Sequence, residues 1–151
     1  MGDDHILTLR IVRGVGVLFA SQDQAARAET YFEEAHRISS TTLGADHPLT
    51  LLATQNLAAS RILAGRFQEA ELLLTNGLSV SKRIRGEEHP ATLLMMTLLA
   101  RTWHSLKRIE DAEALYRSAL DTAMRTLPEG HTVTSYMQST LAHIYDDLKR
   151  S

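Results

Sequence analysis

Four histidines, His5, His47, His89 and His131, stand 42 residues apart. Imidazole is the commonest side chain for holding a metal or moving a proton near neutral pH. The spacing argues against a shared ion. If each step is one structural unit, stacked equivalents lie about 10 Å apart, whereas the ligands of one ion lie within about 2 Å of it. The four histidines are therefore expected to organise the start of one helix in each unit. His104 and His143 fall on a different face in neighbouring units, and a metal there would need a third ligand. Gly14-Val15-Gly16 has two glycines of a dinucleotide fingerprint, but it lacks the third, lies in a helical pattern and follows no strand. No serine–histidine–acid set, Walker loop or paired carboxylates stand out. The expectation is no catalysis, no metal and no cofactor.

The 42-residue step extends well beyond histidine. Thr8, Thr50, Thr92 and Thr134 keep it, as do Gly2, Gly44 and Gly86, the small residues Gly16, Ala58, Ala100 and Ala142, and the pairs Ala28-Glu29, Ala70-Glu71 and Ala112-Glu113. A fixed period of this length marks a repeat architecture, in which each unit buries its apolar face only against its neighbours. The chain divides into repeats 1–42, 43–84 and 85–126 with a half repeat 127–151, expected to form one domain over residues 1–151.

Composition narrows the partners. Sixteen basic and eighteen acidic residues give a net charge of −2, with no long run of one sign, so neither nucleic acid nor a membrane surface is indicated. The apolar stretch from Ile6 to Ala20 is broken by Arg10 and Arg13 and is too short to span a bilayer. Cysteine is absent, which favours a reducing compartment, and the expected location is cytoplasmic.

In the second unit, Gly44-Ala45-Asp46 is turn chemistry, and Pro48 suits the first position of a helix, where a missing N–H costs nothing. Helix A starts near His47, places Thr54, Leu57 and Ala58 on one face, and stops at Gly65-Arg66, with Gly65 free to take the left-handed cap conformation. Helix B, from about Phe67 to Ile84, carries Ala70, Leu73, Leu74, Gly77 and Leu78 as its stripe. The fourth helix A, about Val133 to Lys149, has no helix B, and its polar Gln138, Asp146, Asp147, Lys149 and Arg150 suit a cap. This unit, with Gly44-Ala45-Asp46-His47-Pro48-Leu49-Thr50, Asn56-Leu57-Ala58, Gly65-Arg66-Phe67 and Glu69-Ala70-Glu71, resembles a tetratricopeptide repeat of the 42-residue kinesin-light-chain type. Similar arrays form the C-terminal regions of fungal and bacterial NTPase switch proteins of the NB-ARC and NACHT types. The resemblance covers the whole chain and implies an all-α, right-handed superhelical solenoid of about seven helices that binds proteins without catalysis.

On helix A the arc opposite the core stripe is, by the same resemblance, the concave wall. Residues expected to bind a peptide there are Arg13 from the first repeat and Gln55 and Asn56 from the second. The later repeats add Leu94, Leu98, Arg101 and His104, then Tyr136 and His143. Only Asn56 matches the kinesin-type asparagine. A clamp for a chaperone C-terminus is disfavoured because Val17, Leu94 and Leu98 stand where polar donors are required. The basic residues predict an acidic segment with a large apolar anchor as ligand. An alternative is a structural segment of a longer array, acting by intramolecular packing or by self-association through the apolar first helix. Arg61 stands where the other repeats carry Phe19, Trp103 and Tyr145. Its head is expected to reach Glu69 or Glu71, and tyrosine in its place to raise stability by about 1 kcal/mol.

Overall fold

The computed structural model describes residues 2–150, with side chains from residue 6 onward except those of residues 144, 147, 148 and 150. Seven helices occur among the described residues: α1 (Gly2–Ser21), α2 (Ala25–Thr42), α3 (Pro48–Leu63), α4 (Phe67–Arg85), α5 (Pro90–Ser105), α6 (Ile109–Thr126) and α7 (Thr132–Arg150). The boundaries expected for the two helices of the second repeat and for the last helix hold to within a residue or two. The chain falls into two compact units, Met1–Leu73 and Leu74–Ser151, divided within α4. In the first unit α2 packs against α1 and α3; in the second α6 packs against α5 and α7, and α5 also meets α7.

The phased histidines act at the helix starts. His47, His89 and His131 each turn Nδ1 back to accept the backbone N–H two residues on, from Leu49 at 3.1 Å, Ala91 at 3.0 Å and Val133 at 3.1 Å. Each thereby satisfies one of the orphan donors of a helix N-terminus. The first repeat departs from this, because α1 already begins at Gly2 and His5 lies within it; the His5 side chain is outside the described residues. His89→Ala is expected to cost about 1 kcal/mol of stability, and His89→Asp, which keeps a capping acceptor, to cost much less. Thermal unfolding of the two variants checks this, and an equal loss would show that the imidazole acts by something other than capping.

The phased threonines close the junction between one helix B and the next helix A. Thr50 Oγ1 donates to the Ser39 carbonyl at 3.2 Å, and Ser81 Oγ and Thr92 Oγ1 pair at 2.7 Å. At the third junction Ala123 stands in the register of Ser39 and Ser81, and the buried Thr134 Oγ1 has no partner. A buried hydroxyl left unmatched is costly. Ala123→Ser is therefore expected to raise stability by about 1 kcal/mol. The gain should vanish when Thr134→Ala is added, and a gain that survives would disprove the pairing.

Each unit buries its small residues where helices touch. Ala28, Phe32 and Leu57 form one core in the first unit with Phe19 and Leu73 packed on it, and Leu9, Ala35 and Ala53 form another. In the second unit Ala100, Ala112, Tyr116 and Leu141 are the buried set, flanked by Trp103, Ile109, Leu115 and Tyr145 among others. Gly16 takes the alanine position of its repeat because Phe32 fills the space: a Cβ there would meet Phe32 Cε1 at 2.8 Å.

Arg61 is paired more heavily than the sequence indicated. It reaches Glu29, Glu33 Oε1 at 2.6 Å and Glu69 Oε2 at 3.2 Å, while Arg66 bonds Glu29 at 2.6 Å and Glu69 at 2.8 Å. The pairing with Glu69 was expected; Glu29 and Glu33 on the preceding helix were not. Burial is the main influence lowering the Arg61 pKa, with Arg66 adding and Glu69 opposing; a guanidinium nonetheless keeps its charge at physiological pH. The other repeats show the inverse arrangement. Arg27 lies over the Phe19 ring at 5.6 Å and Arg117 over the Tyr145 ring at 5.1 Å. Glu69 occupies the repeat position of Arg27, and Glu33 that of Arg117. Where helix A presents an aromatic ring, its neighbours supply cations; where it presents a cation, they supply carboxylates. With these pairs in place, tyrosine at position 61 is expected to lower stability rather than raise it.

Candidate functional site

The helix A positions expected to form a binding wall fare differently in the structure. In the first unit Arg13, Gln55 and Asn56 are half-buried, and Asn56 Nδ2 is buried without a hydrogen-bond partner. In the second unit Leu94 is half-buried, whereas Leu98 is only 6% exposed and belongs to the packed interior. Thr97 is likewise fully buried. A helix A inside an array has two neighbours, its own helix B and the preceding one. The sequence reading gave α5 one core stripe, and the actual buried arc is wider. The Ser81–Thr92 contact shows the C-terminal half of α4 packed on the start of α5.

The remaining four residues come together. Arg101 and His104 from α5, and Tyr136 and His143 from α7, line a cleft of about 400 Å³ together with Ser105, Tyr116, Ser139 and Thr140. The spacing has a local cause. Arg101 and His104 are three apart on one helix, and Tyr136, Ser139, Thr140 and His143 repeat at three and four on the other, so each helix turns one continuous face to the cleft. Arg101 Nη1 donates to the Tyr136 hydroxyl across the gap at 3.3 Å, a long bond that leaves most of the five guanidinium donors unspent. Among the described residues no carboxylate lies within ion-pair distance of Arg101. Tyr136 is 37% exposed and offers ring surface at the rim.

Tyr116, on α6, was absent from the expected set. It is fully buried, yet its hydroxyl has no hydrogen-bond partner. Burial raises its pKa strongly, Tyr136 adds to this and Arg101 opposes it, so the group stays a protonated donor. The signal in the sequence was its register: the same position holds Phe32 and Leu74, so only the third repeat adds a polar tip to that column. His104 and His143 both face the cleft, but no group of three or more metal-ligating side chains occurs among the described residues. No helix among them is long and apolar enough to cross a membrane.

Paired helices repeating at 42 residues, histidine-capped and closed by alanine contacts, with an open polar cleft, define an α-helical repeat array for protein–protein interaction. The chain belongs to the tetratricopeptide repeat family, whose model matches residues 6–82 and 52–125. Two crystal structures of a kinesin-light-chain protein with nearly identical TPR-like repeats, from Podosopora anserina, are similar to it at 25% identity and a TM-score of 0.81. The similarity covers 91% of this chain and 65% of that one. BtubC (BKLC) from P. vanneervenii shares the fold at 20% identity and a TM-score of 0.82, over 94% of this chain and 57% of its own. This chain thus spans less than two thirds of those structures. No curated protein matches it by sequence.

Proposed function

We propose that the chain is a non-catalytic, cytoplasmic interaction module that binds an acidic peptide segment carrying a large apolar anchor, with the cleft of the second unit as its main contact. The observation that carries this reading is the convergence of Arg101, His104, Tyr136 and His143 on one open cleft, with no carboxylate of the described residues facing the guanidinium. Arg101 supplies a forked charge for a carboxylate, and Tyr136 and the half-buried Leu94 supply apolar area. Arg13 contributes a further positive charge on the first unit. Affinity is expected near micromolar, about −8 kcal/mol, with part of the charge contribution screened by salt. The test is retention of an acidic-aromatic peptide pool by wild type and by the Arg13→Glu, Arg101→Glu double variant at low and high salt. Wild type should retain peptides in a salt-sensitive manner and the double variant should not. Equal retention by both, indifferent to salt, would eliminate the reading.

A second reading has its own support. Ile11 and Leu18 on α1 are 57% and 55% exposed, while their register partners Ala53 and Ser60, and Met95 and Thr102, are buried. That α1 face has the character of an internal junction, which suits self-association or packing within a longer array. Sedimentation over a concentration range distinguishes it: a dimer that dissociates on Ile11→Glu would favour assembly.

A further inference from the structure

In a helix interior glycine is less favourable than any residue but proline, and its usual warrant is a neighbour that occupies the space of a side chain. Helix α1 carries two interior glycines. Gly16 is accounted for by Phe32, whose ring stands 2.8 Å from where a Cβ would lie. Gly14 is not, since a Cβ there would meet nothing within 4 Å. It lies on the open apolar stripe of α1, after Leu7 and Ile11 and before Leu18, side chains that are 59%, 57% and 55% exposed. Steps of four, three and four residues keep these positions within about 60° of the helix face. The same steps read identically in either direction, so a second α1 laid antiparallel matches the first. Each Ile11 then covers the other copy's Gly14, and each Leu7 lies beside the other copy's Leu18.

From this self-complementary stripe we propose that two copies of the chain associate through α1 as a two-fold antiparallel helix pair closing over Gly14. The proposal rests on the self-association reading and adds its surface, its orientation and its closure, because an isologous contact stops at a dimer. Other occupants fit less well. The internal repeats place a larger residue and then a smaller one at the last two positions of this face, Asn56 then Ser60 and Leu98 then Thr102, whereas α1 has Gly14 then Leu18. A helix shaped for the internal junctions meets a gap where it needs bulk, and bulk where it needs a gap. Head-to-tail stacking on α7 buries little apolar surface, because α7 exposes Ser135, Gln138 and Asp146 where α3 buries Leu51, Thr54 and Ile62. One helix pair is a small interface, and association is expected in the micromolar range.

The chain has no cysteine, so single introduced cysteines report the pairing. Leu7→Cys and Leu18→Cys proteins are mixed under mild oxidation and the crosslinked products are resolved by mass. The mixed product should dominate over both like-with-like products, because two Leu7 positions in the antiparallel pair stand about 16 Å apart along the helices, beyond disulfide reach. Sedimentation from micromolar to near-millimolar protein should show wild type in a monomer–dimer equilibrium. Gly14→Leu should weaken that equilibrium about tenfold or more. At dilution, where both are monomeric, the variant should melt at the same or a higher temperature, its side chain having open space and a better helix propensity. Dimers that survive Gly14→Leu, like-with-like crosslinks equal to the mixed one, or open polymers in place of dimers would overturn this pairing and leave self-association standing. A wild type that stays monomeric throughout would remove both.

Discussion

Replacing Arg61 by tyrosine, the residue type its register favours, should lower the stability of the protein by about 2 kcal/mol. The Arg61 side chain is 11% exposed and that of Glu29 14%, so both charges are largely removed from water and depend on each other. Taking away one partner of such a pair leaves the other desolvated and unmatched, which typically costs about 3–5 kcal/mol. Here the loss is moderated, because Arg66 still bonds Glu29 and Glu69, and Glu33 and Glu69 are about half exposed and can turn to solvent. Apolar burial of the new ring offsets a further part. The repeat itself supplies the rescue. Adding Glu33→Arg and Glu69→Arg recreates the cations that stand over Phe19 and Tyr145, and should recover most of the loss. Chemical denaturation of the single and triple variants decides the matter. A single variant more stable than wild type would mean that the carboxylates contribute nothing.

The second large effect concerns Ala112→Leu, expected to cost about 2–3 kcal/mol. Ala112 is fully buried at the contact of helices in the second unit, beside Ala100 and Tyr116, and three added carbons have no space that does not belong to another side chain. Helices that touch through alanine must separate or shift to admit leucine, and each shift loosens contacts along their length. Ala114→Leu, on the exposed side of the same helix, is the control and should change stability by less than about 0.5 kcal/mol. Because Tyr116 is packed against Ala112, the core variant should also displace the hydroxyl at the cleft, whereas the surface variant should leave the tyrosine ring resonances unmoved. Similar losses in the two variants would show that helix propensity, not packing, dominates at this contact.

Seven helices, their boundaries, the unit length and the capping role of the phased histidines were written in the sequence, because each depends on residues within a few positions of one another. A helix start needs an acceptor two residues before the N–H it caps, and an amphipathic stripe needs only the 3.6-residue period. The αL turn after helix A is a partial case. Gly65 advertises it and takes φ +76°, while Asp23 and Lys107 adopt φ +60° and +68° at the same register without a glycine to signal it. What the sequence alone could not decide was which faces meet. Leu98 counted as wall until the structure showed α5 buried over a wider arc, since a helical wheel records one axis and not how many neighbours surround it. Arg61 had two candidate carboxylates on its own hairpin, Glu69 and Glu71, and the two on α2 became partners only when that helix packed alongside. Arg101, His104, Tyr136 and His143 were identifiable one by one from their phase, but their convergence, and the unmatched hydroxyl of Tyr116 beside them, depend on the approach of three helices. Periodicity fixes local elements because backbone hydrogen bonding is local; a site assembled from several elements is set by side-chain packing between residues distant in the chain, and that belongs to the tertiary structure.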